Sequence, residues 1–190
     1  TLKVSNELDW PPFDFAQSGQ PRGYSIDVIN MLARMTGLKV QFVNGYSWPE
    51  LKTQYQRGDI DLLQSVVLNE PNRGLGLPGA GYATLPYAIA TSSGTSGLAQ
   101  PFELEGKTLA IPAGWSIIPI VRRQYPTVSI VETASTQQSL EMVAAGTVDA
   151  ALDNKVIMQY VSRHYFLGPF NYRHYSPPEG GKLPDTLHIF

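Results

Sequence analysis

The sequence predicts a two-lobed α/β protein, and three observations carry that expectation: an internal repeat at a fixed offset of 88 residues, a strand and helix ahead of each copy, and a Ser/Gly-rich stretch between the halves. The first copy runs Val40–Val43, Ser47–Glu50 and Gly58–Leu63; the second runs Val128–Val131, Ser135–Gln138 and Gly146–Ala151. In each copy an alternating, β-branched run makes a strand. Ser47 with Glu50, and Ser135 with Gln138, form the capping box that starts a helix. Gly58 and Gly146 supply the left-handed residue that ends it. The short apolar run after each Gly reads as a buried strand of a mainly parallel sheet.

The elements ahead of each copy follow the same logic. Leu2–Ser5 reads as a strand, and Ser25 as the cap of a helix that aligns Val28, Leu32 and Met35 and stops at Thr36-Gly37. Thr108–Ile111 is the matching strand of the second half. Ser116 opens the next helix, which carries Ile117, Ile120 and Val121 and stops before Tyr125-Pro126. Two tandem β-α-β-α-β units give two open α/β lobes, and ligands in such sheets sit beyond the carboxyl ends of the strands, in a cleft between facing lobes. The expected boundaries are 1–92 for lobe 1 and 93–185 for lobe 2, with Ser92–Gly97 as the connection. Past Gly168 the pattern gives way to Pro- and Tyr-rich sequence, with Pro177–Gly181 as a loop. Thr186–Phe190 reads as a final strand, the start of a return crossing to lobe 1, the rest of which is expected to lie outside this chain.

Composition narrows the function. Of 190 residues, 43% are hydrophobic and 16% charged, enough for a real core. Fourteen basic against sixteen acidic side chains give a net charge of −2, which argues against a nucleic-acid groove or a polybasic membrane patch. Without cysteine, disulfides, thiolate catalysis and Cys-based zinc sites are excluded. No stretch approaches the ~20 apolar residues of a spanning helix, so any membrane association is expected through an attached segment. Thr1 opens almost directly onto a strand, as in a mature or excised segment. His164, His174 and His188 are not at metal-ligand spacing, and no nucleophile-elbow, zincin or phosphate-loop pattern appears. Binding is expected rather than catalysis, with no cofactor and no metal.

Several segments resemble the type 2 periplasmic solute-binding fold of the bacterial family 3 extracellular solute-binding proteins and their sensor relatives, the Venus-flytrap domains. Trp10-Pro11-Pro12-Phe13 is similar to the family's aromatic-Pro-Pro-Phe loop, and Gly23–Asp27 to the start of its first helix. Gly58–Asp61, Pro71-Asn72-Arg73, Tyr82–Tyr87 and Gly106-Lys107 through Gly114–Ser116 resemble its later segments in order and spacing. Asp9–Phe13, Gly23–Asp27 and Ser47–Leu51 look most like the sensor branch. That resemblance implies the extracytoplasmic input domain of a histidine kinase or diguanylate cyclase, which would dimerise in the full receptor. Two alternatives stay open: a free solute-binding protein of an uptake transporter, and a cyclohexadienyl dehydratase built on the same fold.

The expected ligand is a small anion or zwitterion. Arg73 follows a buried strand by one loop, and its guanidinium can grip a carboxylate through two parallel hydrogen bonds. The resemblance gives it the same role. Gly114, Trp115 and Ser116 follow a strand and open a helix, where backbone N–H groups favour an anion. Trp10 and Phe13 would supply aromatic contacts, Trp115 a second one, and Ser65 a hydroxyl. Asp153 and Asn154 mark a departure from the family. Its ammonium-pairing Asp would fall on Asn154, which has no negative charge to offer. A carboxylate without an amine therefore fits as well as an α-amino acid.

Overall fold

The structure is a computed structural model that describes residues 1–94, 101–175 and 183–190. The chain divides into two compact units, Thr1–Thr84 with Thr186–Phe190, and Leu85–Asp185. The expected loop at Pro177–Gly181 and the second half of the expected 92–97 connection lie outside the described residues.

In the first unit, β1 (Leu2–Ser5) pairs in parallel with β5 (Val40–Val43), in register from Leu2 with Val40 to Ser5 with Val43. On its other edge β1 meets only a bridge, Val4 with Leu62, so the first repeat's third strand is short. β2 (Asp9–Trp10), β3 (Asp14–Gln17) and β4 (Gln20–Arg22) form a small antiparallel sheet where the sequence suggested only a loop. A third sheet has β13 (Thr186–His188) between β6 (Val66–Val67) and β7 (Ala83–Thr84). The last strand thus returns to the first unit, and Phe190 exchanges backbone hydrogen bonds with Leu63 at 2.8 and 2.9 Å.

The second unit is one five-stranded sheet in the order β10-β9-β11-β8-β12. Its strands are β8 (Tyr87–Ser92), β9 (Thr108–Pro112), β10 (Ser129–Thr133), β11 (Ala150–Asn154) and β12 (Phe170–His174). β9 runs parallel to β10 and β11; β8 is antiparallel to β11 and β12. Because β8 is hydrogen-bonded on both edges inside this sheet, the chain leaves the first unit at Thr84, ahead of the expected 92/93 boundary. β12 likewise gives regular structure to sequence past Gly168 that showed no pattern. Ile89, Leu109, Ile111 and Leu152 from the sheet pack with Ile117 and Val121 as its core.

The helices repay the capping argument in both copies. At α2 (Trp48–Gln56) the Glu50 carboxylate accepts from the Ser47 N–H and hydroxyl at 2.7 and 2.8 Å. At α5 (Thr136–Ala144) Ser135 Oγ accepts the Gln138 N–H at 3.2 Å. Gly58 (φ 81°) and Gly146 (φ 72°) end the two helices, and the next residue donates back, Asp59 to Gln54 O and Thr147 to Met142 O, both at 2.9 Å.

Two helical expectations need correction. α1 (Tyr24–Thr36) buries Ser25, Ile26 and Ile29, while Leu32 and Met35 are 38% and 75% exposed. Its amino-terminal cap is Gly23, and Ser25 lies inside the helix. α4 (Ile118–Gln124) starts two residues after Ser116, which sits in a turn. A short α3 (Pro101–Leu104) and an amphipathic α6 (Lys155–His164), which buries Ile157, Met158 and Val161, complete the set.

Candidate functional site: an aromatic and hydroxyl face on the first unit

At the carboxyl end of β1 the first unit gathers polar side chains. Asn6, fully buried, donates to Asp14 Oδ1 at 2.8 Å, and the Glu7 N–H donates to the same oxygen at 3.1 Å. The β2–β3 hairpin folds the Asp14 carboxyl back under the chain leaving β1. Burial pushes Asp14 up to about 7, although hydrogen bonds from Asn6, the Glu7 backbone, Gln64 and Ser65 all favour its charged form. Glu7 rises to about 8 through burial, reinforced by the Asp14 and Asp9 carboxylates and opposed by Lys52. Burial lowers Lys52 in turn.

Beside these groups runs a row of rings. Trp10 and Phe13 have centroids 5.9 Å apart, Phe13 meets Tyr24 edge-on at 5.4 Å, and Tyr24 stacks with Tyr82 at 6.4 Å. The Tyr82 hydroxyl lies 2.9 Å from Ser25 Oγ and accepts the Ser65 N–H at 3.1 Å. The single Ser65 hydroxyl proton is shared between Ser25 Oγ at 3.0 Å and Gln64 Oε1 at 3.1 Å. Ser65 has φ 61°, left-handed backbone that a non-glycine residue holds at a cost of about 1–3 kcal/mol. In this conformation the Ser65 hydroxyl lies in the cluster with Ser25 and Tyr82.

Gly23 explains how the loop carrying the first two rings is held. Its φ is 117°, and a Cβ there would stand 2.2 Å from the Phe13 carbonyl oxygen. Only glycine lets the loop approach this closely. The Tyr24 and Ser25 N–H groups then donate to the Pro12 and Phe13 carbonyls at 3.0 and 2.9 Å. The amino end of α1 is thereby spent on positioning Trp10 and Phe13.

Arg73 is exposed, just after a 3₁₀ turn at Glu70–Asn72. Asn69 caps that turn by accepting the Asn72 N–H at 3.1 Å, and Asn72 Nδ2 donates to Val67 O at 2.8 Å. Buried amides therefore fix the backbone from which Arg73 projects.

In the second unit, Gly114–Ser116 follow the carboxyl end of β9. The Gly114 N–H donates to Glu132 Oε1 at 3.2 Å, and Glu132 also pairs with Arg122 at 3.6 Å. A carboxylate of the chain itself thus occupies the position expected for a ligand anion. Trp115 packs against the unit's core. Asp153 and Asn154 end β11, both buried. Asp153 accepts from Thr136 Oγ1 and from the Asn154 N–H, each at 2.6 Å, and Asn154 Nδ2 donates to Leu85 O at 2.6 Å.

Trp10, Phe13 and Ser65 therefore fall in one connected set, with Arg73 on a turn of the same unit. The residues of that set not named as site candidates from sequence are Glu7, Asp14, Tyr24, Ser25 and Tyr82. Among the described residues no group of three or more His, Asp or Glu side chains is placed to hold a metal ion.

The profile of the bacterial extracellular solute-binding proteins, family 3, matches residues 2–96, half of the sequence. The chain belongs to this family. Membership makes it an extracytoplasmic domain. It is 24% identical over 168 residues to the virulence sensor protein BvgS of Bordetella pertussis, spanning 88% of this chain but only 14% of that relative. Its structure superposes on a histidine kinase sensor domain that is similar to periplasmic binding proteins, with TM-score 0.87 and 23% identity, covering 100% of this chain and 81% of that one. It also matches an ancestral arginine-binding protein bound to arginine, with TM-score 0.82 and 19% identity, covering 99% and 83%. The fold is that of type 2 periplasmic binding proteins.

Proposed function

We propose that this domain binds a small carboxylate or amino-acid-like solute and serves as the ligand-sensing input of a transmembrane signalling protein. The observation that carries the binding role is the face in the first unit, where a row from Trp10 through Phe13 and Tyr24 to Tyr82 ends on the strained hydroxyl of Ser65. Ordered rings beside an ordered hydroxyl cluster supply apolar area and fixed polar contacts, the two ingredients of a small-solute site. Arg73 supplies the cation for a carboxylate. The signalling role is supported by the likeness to BvgS, a sensor protein.

Asp153 already accepts from Thr136 and Asn154. An ammonium partner from that position is therefore not part of the reading, and a carboxylate is the required group of the ligand. A thermal-shift screen of amino acids and small carboxylates identifies ligands by their stabilisation of the folded state. Titration calorimetry of Arg73→Ala should then show binding weakened at least about tenfold, as expected for a lost charge-assisted pair, with the unliganded midpoint unchanged. Equal affinity in both proteins removes Arg73 from the site.

A further inference from the structure

The chain's net charge of −2 conceals a local imbalance. Between Asp153 and Glu179 the sequence has no acidic residue, yet it has Lys155, Arg163 and Arg173 and two of the three histidines, His164 and His174. This stretch builds α6 and β12 of the second unit. Lys155, Arg163 and His164 are exposed on α6. On β12 the Tyr172 hydroxyl reaches Met158 O of that helix at 3.5 Å, so the exposed Arg173 beside it lies on the opposite face of the sheet. The neighbouring α5 brings Glu141, which accepts a hydrogen bond from Gln137 at 2.8 Å.

The same surface has the most exposed ring among the described residues. Phe166 is 94% exposed and sits in left-handed backbone (φ 54°) just past α6, a conformation bulky side chains avoid. The turn that holds it is tied by Ser162 Oγ donating to Leu167 O at 2.9 Å. Tyr160 and Tyr165, 37% and 38% exposed, flank His164 at 5.8 and 4.9 Å. The proposed solute site uses none of these groups.

We propose that this surface docks the domain against an anionic lipid bilayer, with Phe166 entering the interface and Lys155 and Arg163 of α6 meeting phosphates. A protein interface is centred on a broad apolar patch with its charges at the rim. Here a single ring projects from a turn, tyrosines stand beside it, and Lys155 and Arg163 extend from the helix that leads to it, the arrangement that interfacial anchors use. The charged side chains of α6 are all basic, which complements an anionic leaflet and not a zwitterionic one. One ring and a few cations bind weakly, so the contact orients a domain already held near a membrane.

Flotation of the 190-residue chain with vesicles tests this, using phosphatidylcholine alone and phosphatidylcholine with about one third phosphatidylglycerol. The expected result is binding to the anionic vesicles only, lost as salt rises past a few hundred millimolar. Phe166→Ser should cut that binding, and Arg163→Gln or Lys155→Gln should each reduce it roughly fivefold; all three positions are exposed, and an unchanged thermal midpoint shows that each variant is folded. Absence of binding to the anionic vesicles overturns the proposal, as does binding that Phe166→Ser leaves intact. Sedimentation velocity without lipid supplies the rival outcome. A dimer that dissociates on Phe166→Ser assigns the surface to a second copy of the chain and ends the lipid assignment.

Discussion

Asp149 and Thr108 clasp each other across two strands of the second unit: the Thr108 N–H and hydroxyl both reach Asp149 Oδ2, at 2.8 and 3.0 Å, and the Asp149 N–H returns to Thr108 O at 3.2 Å. Asp61 repeats the relationship 88 residues earlier, accepting the Lys3 N–H at 2.7 Å and donating to Lys3 O at 2.9 Å. The repeated Gly-x-hydrophobic-Asp motif is thus a latch that ties the strand after each second helix to the start of each first strand. It is architecture, and it lies at the opposite ends of these strands from the candidate ligand residues.

The Asp149 carboxylate is held below its ordinary range, first by the Thr108 backbone hydrogen bond. Asp149→Ala should therefore destabilise the domain by about 1 kcal/mol, a charged hydrogen bond discounted for solvent exposure. The loss should appear above the ordinary carboxylate range and vanish as pH falls below it, since the depressed group stabilises only while ionised. Thermal unfolding of the variant checks this, and its ligand affinity should match that of the wild type. A weakened affinity would move the latch into the site.

Much of this was legible because it is local. Ser47 and Glu50, or Gly58 and Asp59, act within a few residues of one another, so cap and stop could be read directly along the chain. The inner face of α1 was not legible. That helix has two apolar stripes, and periodicity alone does not say whether Ile26 and Ile29 or Leu32 and Met35 face the sheet. β8 escaped for a related reason: its partners β11 and β12 come some 60 and 80 residues later, and only pairing assigns a strand to a unit. The site divides in the same way. Trp10, Phe13 and Ser65 stood out as residue types in suggestive places. Asp14 and Tyr82 matter only because the β2–β3 hairpin and the chain before β7 bring them to Asn6 and Ser65. The one sequence signal for them was Tyr82 at the head of the segment similar to the family's crossover.

Asp14 and Glu7 give the domain a pH dependence of definite sign. Their carboxyls rise from ordinary values of 3.8 and 4.5 to about 7 and about 8. Between these values the folded chain holds protons that the unfolded chain has released, so their stabilisation is complete below about pH 4 and is lost as pH rises through 7 and 8. The thermal midpoint should fall by about 5 °C or more between pH 5 and pH 8.5. Asp14→Asn keeps an oxygen for Asn6 and the Glu7 N–H but has no proton to lose. It should flatten the dependence and unfold later than wild type at pH 8.5. A midpoint that stays level across this range, or an unchanged slope in Asp14→Asn, would show that these carboxyls are ionised in the folded domain.

Ser65→Gly separates the site from the scaffold. Ser65 holds left-handed backbone (φ 61°) that glycine adopts freely, so the substitution relieves about 1 kcal/mol of local strain while deleting a hydroxyl shared with Ser25 and Gln64. If that hydroxyl served packing alone, losing its hydrogen bonds would lower the midpoint and leave ligand affinity untouched. If strain is held there to present the hydroxyl to a solute, the midpoint should stay level or rise while affinity drops at least about fivefold, the loss expected for one neutral hydrogen bond. Thermal unfolding and calorimetry on the same preparation decide between the two, because the readings predict opposite pairings of stability and affinity.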